Sequence, residues 1–307
     1  MSIKDSIRQR LQHSITAMLR QALQPQIASI APRLALAARR EALLHEVLTS
    51  TSLGVAPADK GQQIVVSLTT HGHRLHEAAL AIESIMQGTM LPNDIVLWID
   101  KDTPEPLPLT LQRQAARGLT IARTTDVGPH TKLIPALEHY PNADIITIDD
   151  DIFYPHDLVE TLVNTHRQHP NAIIANTIMR MTRNDDGSLQ TVAQWPYMAE
   201  ADEAGTPQVE RFFEGFGGVL YPAGCMPQQV TMYDTFRELC PTSDDIWFNA
   251  MARLAKRDIV LCQRAPFNFV AAVNEVCDDE ALHHINNAES RNDKQLQATW
   301  KHWGLTL

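Results

Sequence analysis

The sequence predicts an α/β domain with a mainly parallel sheet flanked by helices, preceded by an N-terminal helical extension. Apolar runs of strand length alternate with helical patterns from residue 62 onward, which is typical of parallel sheets with helical crossovers. The runs are unbroken, as expected for strands that are covered on both faces. Polar residues follow several runs directly, at the sheet edge where ligands bind in such folds. We therefore expect an extension over residues 1–50 and one domain over residues 62–307.

The first 50 residues have the periodicity of two helices. Along residues 1–24, apolar side chains recur mostly at spacings of three and four, which predicts one apolar helix face: Ile7, Leu11, Ile15, Met18, Leu19 and Leu23. Pro25 and Pro32 interrupt this pattern, and a second helix is expected over residues 33–48. The following segment, Ser52–Gln62, has the composition of a linker.

The elements of the domain follow in order from local composition. The predicted strands are Gln63–Leu68, Asp94–Asp100, Gly118–Thr124, Asp144–Asp149 and Ala172–Asn176. A helix is expected from Leu75 with Gly88 as its C-terminal cap, and a short helix after Lys132. The sequence SDDIWFNAMARLA, from Ser243, has the pattern of a helix start.

Charge and cysteine content exclude several classes of protein. The formal net charge is −10, with 44% hydrophobic residues. Residues 1–50 hold seven Lys/Arg and three Asp/Glu, so the rest of the chain is strongly acidic and unsuited to broad nucleic-acid binding. The 4 cysteines form no CxxC pair, which favours a reducing compartment. With no apolar run long enough for a signal peptide or a membrane span, we expect a cytoplasmic protein.

Three adjacent carboxylates end the fourth predicted strand, in the sequence ADIITIDDDIFYPHDL. Asp149, Asp150 and Asp151 should raise one another's pKa unless a cation neutralises them. Carboxylate oxygens suit Mg²⁺ or Mn²⁺, ions that commonly also hold substrate phosphates. A solvated turn with a helix cap is the alternative. Three acids at the end of a buried strand favour a metal-bound diphosphate over that alternative.

The sequence ITIDDDIFYP resembles the DxD region of the GT-A glycosyltransferases, Rossmann-like enzymes that use nucleotide sugars. Other segments match that family in the same order: IVVSLTTHGHR resembles its first strand and nucleotide-binding loop, and VLWID its second strand. GPHTKLIPALE resembles the segment before the DxD, GFGGVLYP the glycine-rich stretch at the sugar site, and SDDIWF the acidic pair that supplies the base in inverting members. The resemblance covers roughly residues 62–300 and leaves the first 50 unmatched.

The resemblance implies a role for each matching position. Mn²⁺ or Mg²⁺ would be held by Asp149 and Asp151, with His284 or His283 as a further ligand. Contacts to the nucleotide-diphosphate sugar are implied for Thr69, His71, Arg74, Asp100, Lys132, Asp149 and Asp150, with His73 and His130 as further candidates. Trp195, Gly217 and Gly218 would line the sugar and acceptor pocket. Asp245, or else Asp244, would be the catalytic base of a single displacement with inversion.

Each assignment has a structural alternative. The glycines of GFGG, which include Gly215, would also suit a turn or bulge, and Trp195 a core position. Asp244 and Asp245 would also suit the first turn of a helix, where acidic side chains are favoured. Lys132 would also suit an exposed surface.

The resemblance implies transfer of a sugar to a glycan or lipid-linked acceptor. The alternatives are a metal-dependent phosphohydrolase or nucleotidyltransferase, which also place carboxylates at strand ends, and a non-catalytic GT-A-like sugar-binding domain. The basic amphipathic extension, residues 1–50, would suit peripheral contact with the inner face of a membrane. Packing on the domain, or pairing in a homodimer, is the alternative for the extension.

Overall fold

The computed structural model describes residue 24, residue 30 and the ranges 32–57, 61–198, 208–262, 272–273 and 290–305. The chain divides into two compact units, Met1–His45 and Glu46–Leu307. Residues 32–49 are helical (α1), close to the predicted bounds, whereas the helix predicted over residues 1–24 lies almost wholly outside the described residues. Among the described helices, none is both long enough and apolar enough to cross a membrane.

A mixed sheet forms the centre of the second unit. The described strands, in chain order, are β1 (Ile64–Thr69), β2 (Asp94–Asp100), β3 (Leu119–Thr124), β4 (Asp144–Thr147), β5 (Ile152–Phe153), β6 (Ile173–Ala175), β7 (Ile178–Arg180), β8 (Arg211–Phe213), β9 (Val219–Tyr221), β10 (Ile259–Leu261) and β11 (Ala272–Val273). The central sheet has the order β10-β6-β9-β4-β1-β2-β3. Its pairs are parallel except that β9 runs antiparallel to both neighbours. Two small antiparallel pairs, β5 with β11 and β7 with β8, complete the strands.

Helices flank this sheet. After α1, the described α-helices are α2 (Ala78–Met86), α3 (Leu109–Ala115), α4 (Ile134–His139), α5 (Leu158–Gln168), α6 (Tyr233–Leu239), α7 (Asp244–Leu254) and α8 (Arg291–Trp303). Their buried faces enclose a core of large side chains that includes Trp98, Trp247 and Phe213. The mainly parallel α/β fold predicted from the sequence is therefore confirmed.

The direction of the strands determines which loops meet. Because β1, β2 and β4 are parallel, the residues after each of them emerge at the same edge of the sheet. The antiparallel strand β9 pairs Val219 with Thr147 of β4, so the chain enters β9 where β4 ends. The glycine-rich segment that precedes β9 is thereby placed beside the three acids that follow β4.

Local details differ from the predictions at the start and end of α2. Its first turns are a 3-10 helix, Gly72–His76, and the α-helix begins only at Ala78. Gln87 occupies the C-terminal cap with φ −95°. Gly88 is not in the left-handed conformation, so the prediction that it caps the helix is wrong. A side chain at Gly88 would instead lie 3.0 Å from the Ile85 carbonyl oxygen and 3.2 Å from that of His156, which explains the glycine.

Candidate active site

The three acids after β4 have different partners. Lys132 donates to Asp149 Oδ1 at 2.6 Å. Arg74, from the 3-10 helix after β1, pairs through Nη2 with Asp150 Oδ1 and, at 2.6 Å, with Asp151 Oδ2. The side chains of Asp149 and Asp151 remain 29% and 15% exposed, whereas that of Asp150 is 6% exposed. The two outer acids of the DxD pattern are thus the accessible ones, and Asp150 is turned inward against Arg74.

Burial dominates the electrostatics of this strand end. It raises the pKa of Asp150 to about 6, against the opposing effect of Arg74. It raises the pKa of Asp151 to about 6 as well, reinforced by the charge of Asp149. These raised pKa values indicate that Arg74 alone does not fully offset the desolvation and mutual repulsion of the carboxyl groups. A further cation would therefore be favoured there.

Lys132 links the acids after β4 to those at the start of α7. Its backbone is held by the sheet, because Ser67 Oγ donates to the Lys132 carbonyl at 2.6 Å and Trp98 Nε1 donates to Ser67 Oγ at 2.9 Å. Besides its bond to Asp149, Lys132 Nζ lies 3.1 Å from Asp244 Oδ2. Burial lowers the pKa of Lys132, but the carboxylates outweigh it and the net shift is strongly upward. Lys132 is thus a buried, charged lysine and not a surface residue.

The acidic pair lies in the first turn of α7, as the alternative assignment of SDDIWF anticipated. Its second member, Asp245, accepts a hydrogen bond from the Gly215 N–H at 2.8 Å. Burial and the neighbouring Asp244 raise the pKa of Asp245 well above its usual value. Asn249, one turn later, donates to the Asp245 carbonyl at 2.8 Å and bonds both backbone groups of Phe213, which fixes α7 against β8.

The glycines of the GFGG segment have different roles. A Cβ at Gly215 would lie 2.8 Å from Asp245 Oδ1 and 2.9 Å from Lys132 Nζ, so this glycine leaves room for the acid and lysine cluster. A Cβ at Gly217 would come within 2.1 Å of Thr177 Oγ1, and Gly218 has a positive φ of 92°. Gly217 and Gly218 are therefore required for internal packing and backbone conformation, and the predicted contact of these two glycines with a sugar stays a prediction.

Two residues of the cluster were not predicted from the sequence. The Tyr154 hydroxyl accepts from the Asp149 N–H at 2.9 Å and donates to the Phe216 carbonyl at 2.8 Å, which joins the acids to the glycine segment. Glu214 precedes Gly215, and burial raises its pKa to about 7. Neither residue belongs to a sequence pattern that would have predicted it. Tyr154 follows Asp151 by three residues without any periodicity, and Glu214 has no neighbouring acid in the sequence.

Several predicted site residues have other positions or partners. Thr69 Oγ1 donates to the Trp98 carbonyl at 3.1 Å, and His71 is exposed beside the 3-10 helix that carries Arg74. Asp100 accepts from the N–H groups of Asp102 at 2.8 Å and Asp126 at 3.2 Å, so it anchors two loops at this edge of the sheet. Their predicted contacts with a nucleotide stay predictions.

Two aromatic-ring predictions are wrong, and one ligand prediction lies outside the described residues. Trp195 is buried against Phe212 in the core, with its Nε1 donating to the Gln190 carbonyl, so its ring is not a sugar platform. His130 is fully buried and stacks on Phe236, and burial lowers its pKa to about 3, so this buried neutral ring does not suit a phosphate contact. The proposed ligand pair His283 and His284 falls in a segment that the structure does not describe.

The carboxylates after β4 suit a divalent ion whose coordination is completed by a substrate phosphate. Within the described ranges, no three His, Cys, Asp or Glu side chains are grouped to hold a metal by themselves. Asp149 and Asp151 are nevertheless partly accessible carboxylates on either side of the buried Asp150, and burial raises the pKa of both Asp150 and Asp151. Mg²⁺ and related hard ions are commonly bound by one or two carboxylates together with phosphate oxygens and water. The residues present therefore fit such an ion only when a phosphate ligand accompanies it.

The three acids after β4 lie at the carboxyl edge of a mainly parallel sheet, where the GT-A resemblance places the DxD region. No protein-family model matches the chain. No curated protein matches its sequence either.

Solved structures resemble the fold distantly. S. aureus TarS in complex with UDP is 12% identical, with 66% of this chain and 59% of that chain covered and a TM-score of 0.45. A mannosyltransferase from Pyrobaculum calidifontis in complex with GDP-Man and Mn²⁺ is 16% identical, covering 89% of this chain and 82% of that one, with a TM-score of 0.41. A 4-diphosphocytidyl-2C-methyl-D-erythritol synthase from Anaerococcus prevotii is 13% identical over 71% of this chain and 96% of that one, with a TM-score of 0.42. This chain spans about three fifths of the TarS chain, and likenesses this distant assign no activity.

Proposed function

We propose that the protein is a metal-dependent glycosyltransferase that moves a sugar from a nucleotide-diphosphate sugar to a hydroxyl acceptor with inversion. The proposal rests on one observation: a single buried lysine contacts both an acid after β4 and an acid at the start of α7. Lys132 contacts Asp149 after β4 and Asp244 at the start of α7, and the charge of Asp245 also acts on it. In this arrangement, the groups that would bind a diphosphate lie beside a carboxylate that would act as the base. Glycosyl transfer requires both.

The donor would bind at the end of β4. Asp149 and Asp151 would hold Mn²⁺ or Mg²⁺, which supplies charge stabilisation for the leaving diphosphate when bound. Arg74 and Lys132 are the cations at this edge whose side chains contact those same acids, and they would face the phosphate oxygens. Because both are buried and already oriented by carboxylates, they would bind the diphosphate with little loss of side-chain entropy.

Asp245 would act as the general base. The acceptor oxygen forms its bond to the anomeric carbon as the bond from that carbon to the phosphate oxygen breaks, and the hydroxyl proton passes to the Asp245 carboxylate. The Gly215 N–H holds Asp245 Oδ1, which orients the carboxylate for this transfer. Its raised pKa gives it a high proton affinity. Asp244 is paired with Lys132 and suits the base role less well.

The acceptor we propose is a glycan or a lipid-linked glycan. It would be used in the cytoplasm or at the inner face of a membrane, with the basic extension of residues 1–50 providing peripheral contact. Pairing of two copies through the same extension is the competing proposal, and comparing liposome binding of the full chain with that of a chain lacking residues 1–50 separates the two.

A thermal-shift screen tests the function. UDP, GDP, CDP, CMP and dTDP are each added with and without Mn²⁺ to the wild type, to Asp151→Asn and to a control, Asp186→Asn, which removes an exposed turn carboxylate. We expect one nucleoside diphosphate to stabilise the wild type and the control by about 2.7 kcal/mol at a hundredfold excess over Kd, only with metal. Asp151→Asn should lose this shift.

Two results would contradict the proposal. Stabilisation by none of the nucleotides would leave the acids without the assigned donor. Stabilisation that is equal in Asp151→Asn and the wild type would remove the role of the DxD acids.

A further inference from the structure

One buried hydroxyl group lies between the acids after β4 and the glycine-rich turn before β9. It belongs to Tyr154, which is 1% exposed. The hydroxyl accepts a hydrogen bond from the Asp149 N–H at 2.9 Å and donates one to the Phe216 carbonyl at 2.8 Å. Burial raises the pKa of Tyr154 well above its usual value, so the hydroxyl keeps its proton and remains a donor. A single oxygen atom therefore bonds two backbone segments that are distant in the sequence.

The first of these segments carries an acid that we assign to the metal ion. Strand β4 ends at Thr147, and the Ile148 N–H still donates to the Ser67 carbonyl of β1 at 3.1 Å. The next N–H, that of Asp149, donates to the Tyr154 hydroxyl. The hydroxyl thus continues the hydrogen bonding of the strand by one residue, to the residue whose carboxylate leaves the sheet edge.

The second segment carries the N–H group that orients the proposed base. Phe216 is the middle residue of the 3-10 turn Gly215–Gly217. The first residue of this turn, Gly215, donates to Asp245 Oδ1 at 2.8 Å. Because the Tyr154 hydroxyl bonds the next carbonyl along, that of Phe216, it restricts the turn and keeps the Gly215 N–H directed at Asp245.

Tyr154 is itself fixed from α2 and from β5. Its N–H donates to Ser84 Oγ at 3.0 Å, and Ser84 Oγ donates to the Ala81 carbonyl of α2 at 2.6 Å. The two residues before it are β5, Ile152–Phe153, which pairs with β11. The hydroxyl of a tyrosine that is fixed at its backbone and at its tip has a defined position, so it can set the positions of the groups that it bonds.

We propose that Tyr154 is a positioning residue for sugar transfer, whose hydroxyl sets the distance between Asp149 on the donor side and the base Asp245. This role deepens the proposed transferase function and rests on it. In a single displacement, the leaving phosphate and the attacking hydroxyl lie on opposite sides of one carbon atom, so the acids that serve them must keep a fixed spacing. A misplacement of about 1 Å can lower a rate about 100-fold. Tyr154 acts through the backbone of Asp149 and of the glycine turn, and not on the reacting atoms.

Hydrogen exchange followed by mass spectrometry tests the brace without a ligand or turnover. Tyr154→Phe removes only the hydroxyl. Tyr140→Phe is the matched control, because the Tyr140 hydroxyl donates to Asp94 Oδ2 at 2.7 Å, at the start of β2 and so at the opposite edge of the sheet. We expect faster exchange in Tyr154→Phe over both residues 147–151 and residues 214–218, and wild-type exchange there in Tyr140→Phe. Wild-type exchange of either segment in Tyr154→Phe overturns the proposal.

A Mn²⁺ titration of the nucleotide thermal shift tests the donor side. We expect Tyr154→Phe to require at least tenfold more Mn²⁺ for a half-maximal shift, as is usual when a group that orients a metal ligand is removed, and Tyr140→Phe to match the wild type. Ser84→Ala, which removes the partner of the Tyr154 N–H, is a second variant and should raise the requirement by a smaller factor. No shift in the wild type contradicts the proposed function itself. A wild-type shift with an unchanged Mn²⁺ requirement in both variants overturns only the role of Tyr154.

A double-mutant cycle with Asp245→Asn tests the base side. At saturating donor and metal, Tyr154→Phe should lower the rate of transfer at least tenfold in the wild type and less than twofold in Asp245→Asn, because the hydroxyl affects this rate through the base. A purely structural role for the hydroxyl would lower both rates by the same factor. An equal factor in the two backgrounds therefore overturns the positioning role.

Discussion

The adjacent acids Asp244 and Asp245 differ in what their carboxyl groups contact. Asp244 is 3.1 Å from the Lys132 ammonium, and Asp245 accepts from the Gly215 N–H. A carboxylate paired with lysine is stabilised in its charged form and is a weaker base, whereas one held by a single backbone N–H retains proton affinity. The difference in partners, and not the order in the sequence, selects Asp245 as the base in our proposal.

Asp245→Asn should lower the rate of sugar transfer by about 10²- to 10⁴-fold, the usual contribution of a general base. Nucleotide binding should persist, because Asp245 does not contact the donor-side acids. A matched control is Asp234→Asn, since Asp234 is also an acid in the first turn of a helix, α6, but is exposed. Steady-state rates at saturating donor measure the effect, and a variant with more than a tenth of wild-type activity would refute the assignment.

Residue type and position in the sequence predicted the acids, but not their partners. The run DDD after an apolar strand indicated a charged strand end, and SDDIWF indicated acids at a helix start. The pairing of Arg74 with two of the acids depends on a loop almost 80 residues earlier in the chain, and no local pattern encodes it. The burial of Trp195 against Phe212 also depends on tertiary packing, so the sequence left open whether this ring lies in the core or at a sugar pocket.

At the scale of elements, the turn before β9 controls both the site and the packing beneath it. Gly215→Ala would place a methyl group 2.8 Å from Asp245 Oδ1 and 2.9 Å from Lys132 Nζ, atoms at the ends of side chains that can shift. We expect near wild-type stability and at least tenfold lower transfer activity. Thermal melting and steady-state rates on the same preparation measure both quantities.

Gly217→Ala provides the matched comparison within the same turn. Its methyl group would come within 2.1 Å of Thr177 Oγ1 in the buried interior, which should cost about 1–3 kcal/mol of stability, as overpacking usually does. We therefore expect Gly215→Ala to lose mainly activity and Gly217→Ala to lose mainly stability. If Gly215→Ala lost as much stability as Gly217→Ala, the room at Gly215 would serve packing and not the cluster.

Most elements could be predicted because they follow from local periodicity, whereas their arrangement could not. The predicted strand Asp94–Asp100 has the observed bounds, and four other predicted strands are displaced or shortened by one or two residues. The antiparallel direction of β9 has no sequence signal, since a buried three-residue strand is apolar in either direction. That direction is what brings the glycine turn to the acids, so the site could be predicted only in part.

On the scale of the whole molecule, the proposed site is a concentration of negative charge, because its described carboxyl groups outnumber its described cations. Among the described residues, five carboxyl groups (Asp149, Asp150, Asp151, Asp244 and Asp245) interact with Lys132 or Arg74, and Glu214 lies close to Asp245. The fold tolerates this excess because burial raises the pKa of several members, so that part of the cluster holds protons near neutral pH. The stability of the protein should therefore depend on pH through this site.

Glu214 gives the clearest test of that dependence. Its folded-state pKa of about 7 lies above the ordinary value of 4.5, so the folded protein holds this proton more tightly than the unfolded chain does. The resulting stabilisation is complete below pH 4.5 and is lost as the pH rises through 7. Glu214→Gln cannot ionise. Its free energy of unfolding relative to wild type should therefore rise by up to about 3 kcal/mol between pH 5 and pH 8.

Urea unfolding of wild type, Glu214→Gln and Glu138→Gln at the two pH values measures this difference. Glu138 is an exposed glutamate on α4 and controls for the loss of one carboxyl group. Because Gln preserves the shape of the side chain, a gap that widens only for Glu214→Gln would assign the pH dependence to ionisation at position 214. A constant gap between Glu214→Gln and wild type would mean that Glu214 is already ionised at pH 5, which contradicts burial as the source of its raised pKa.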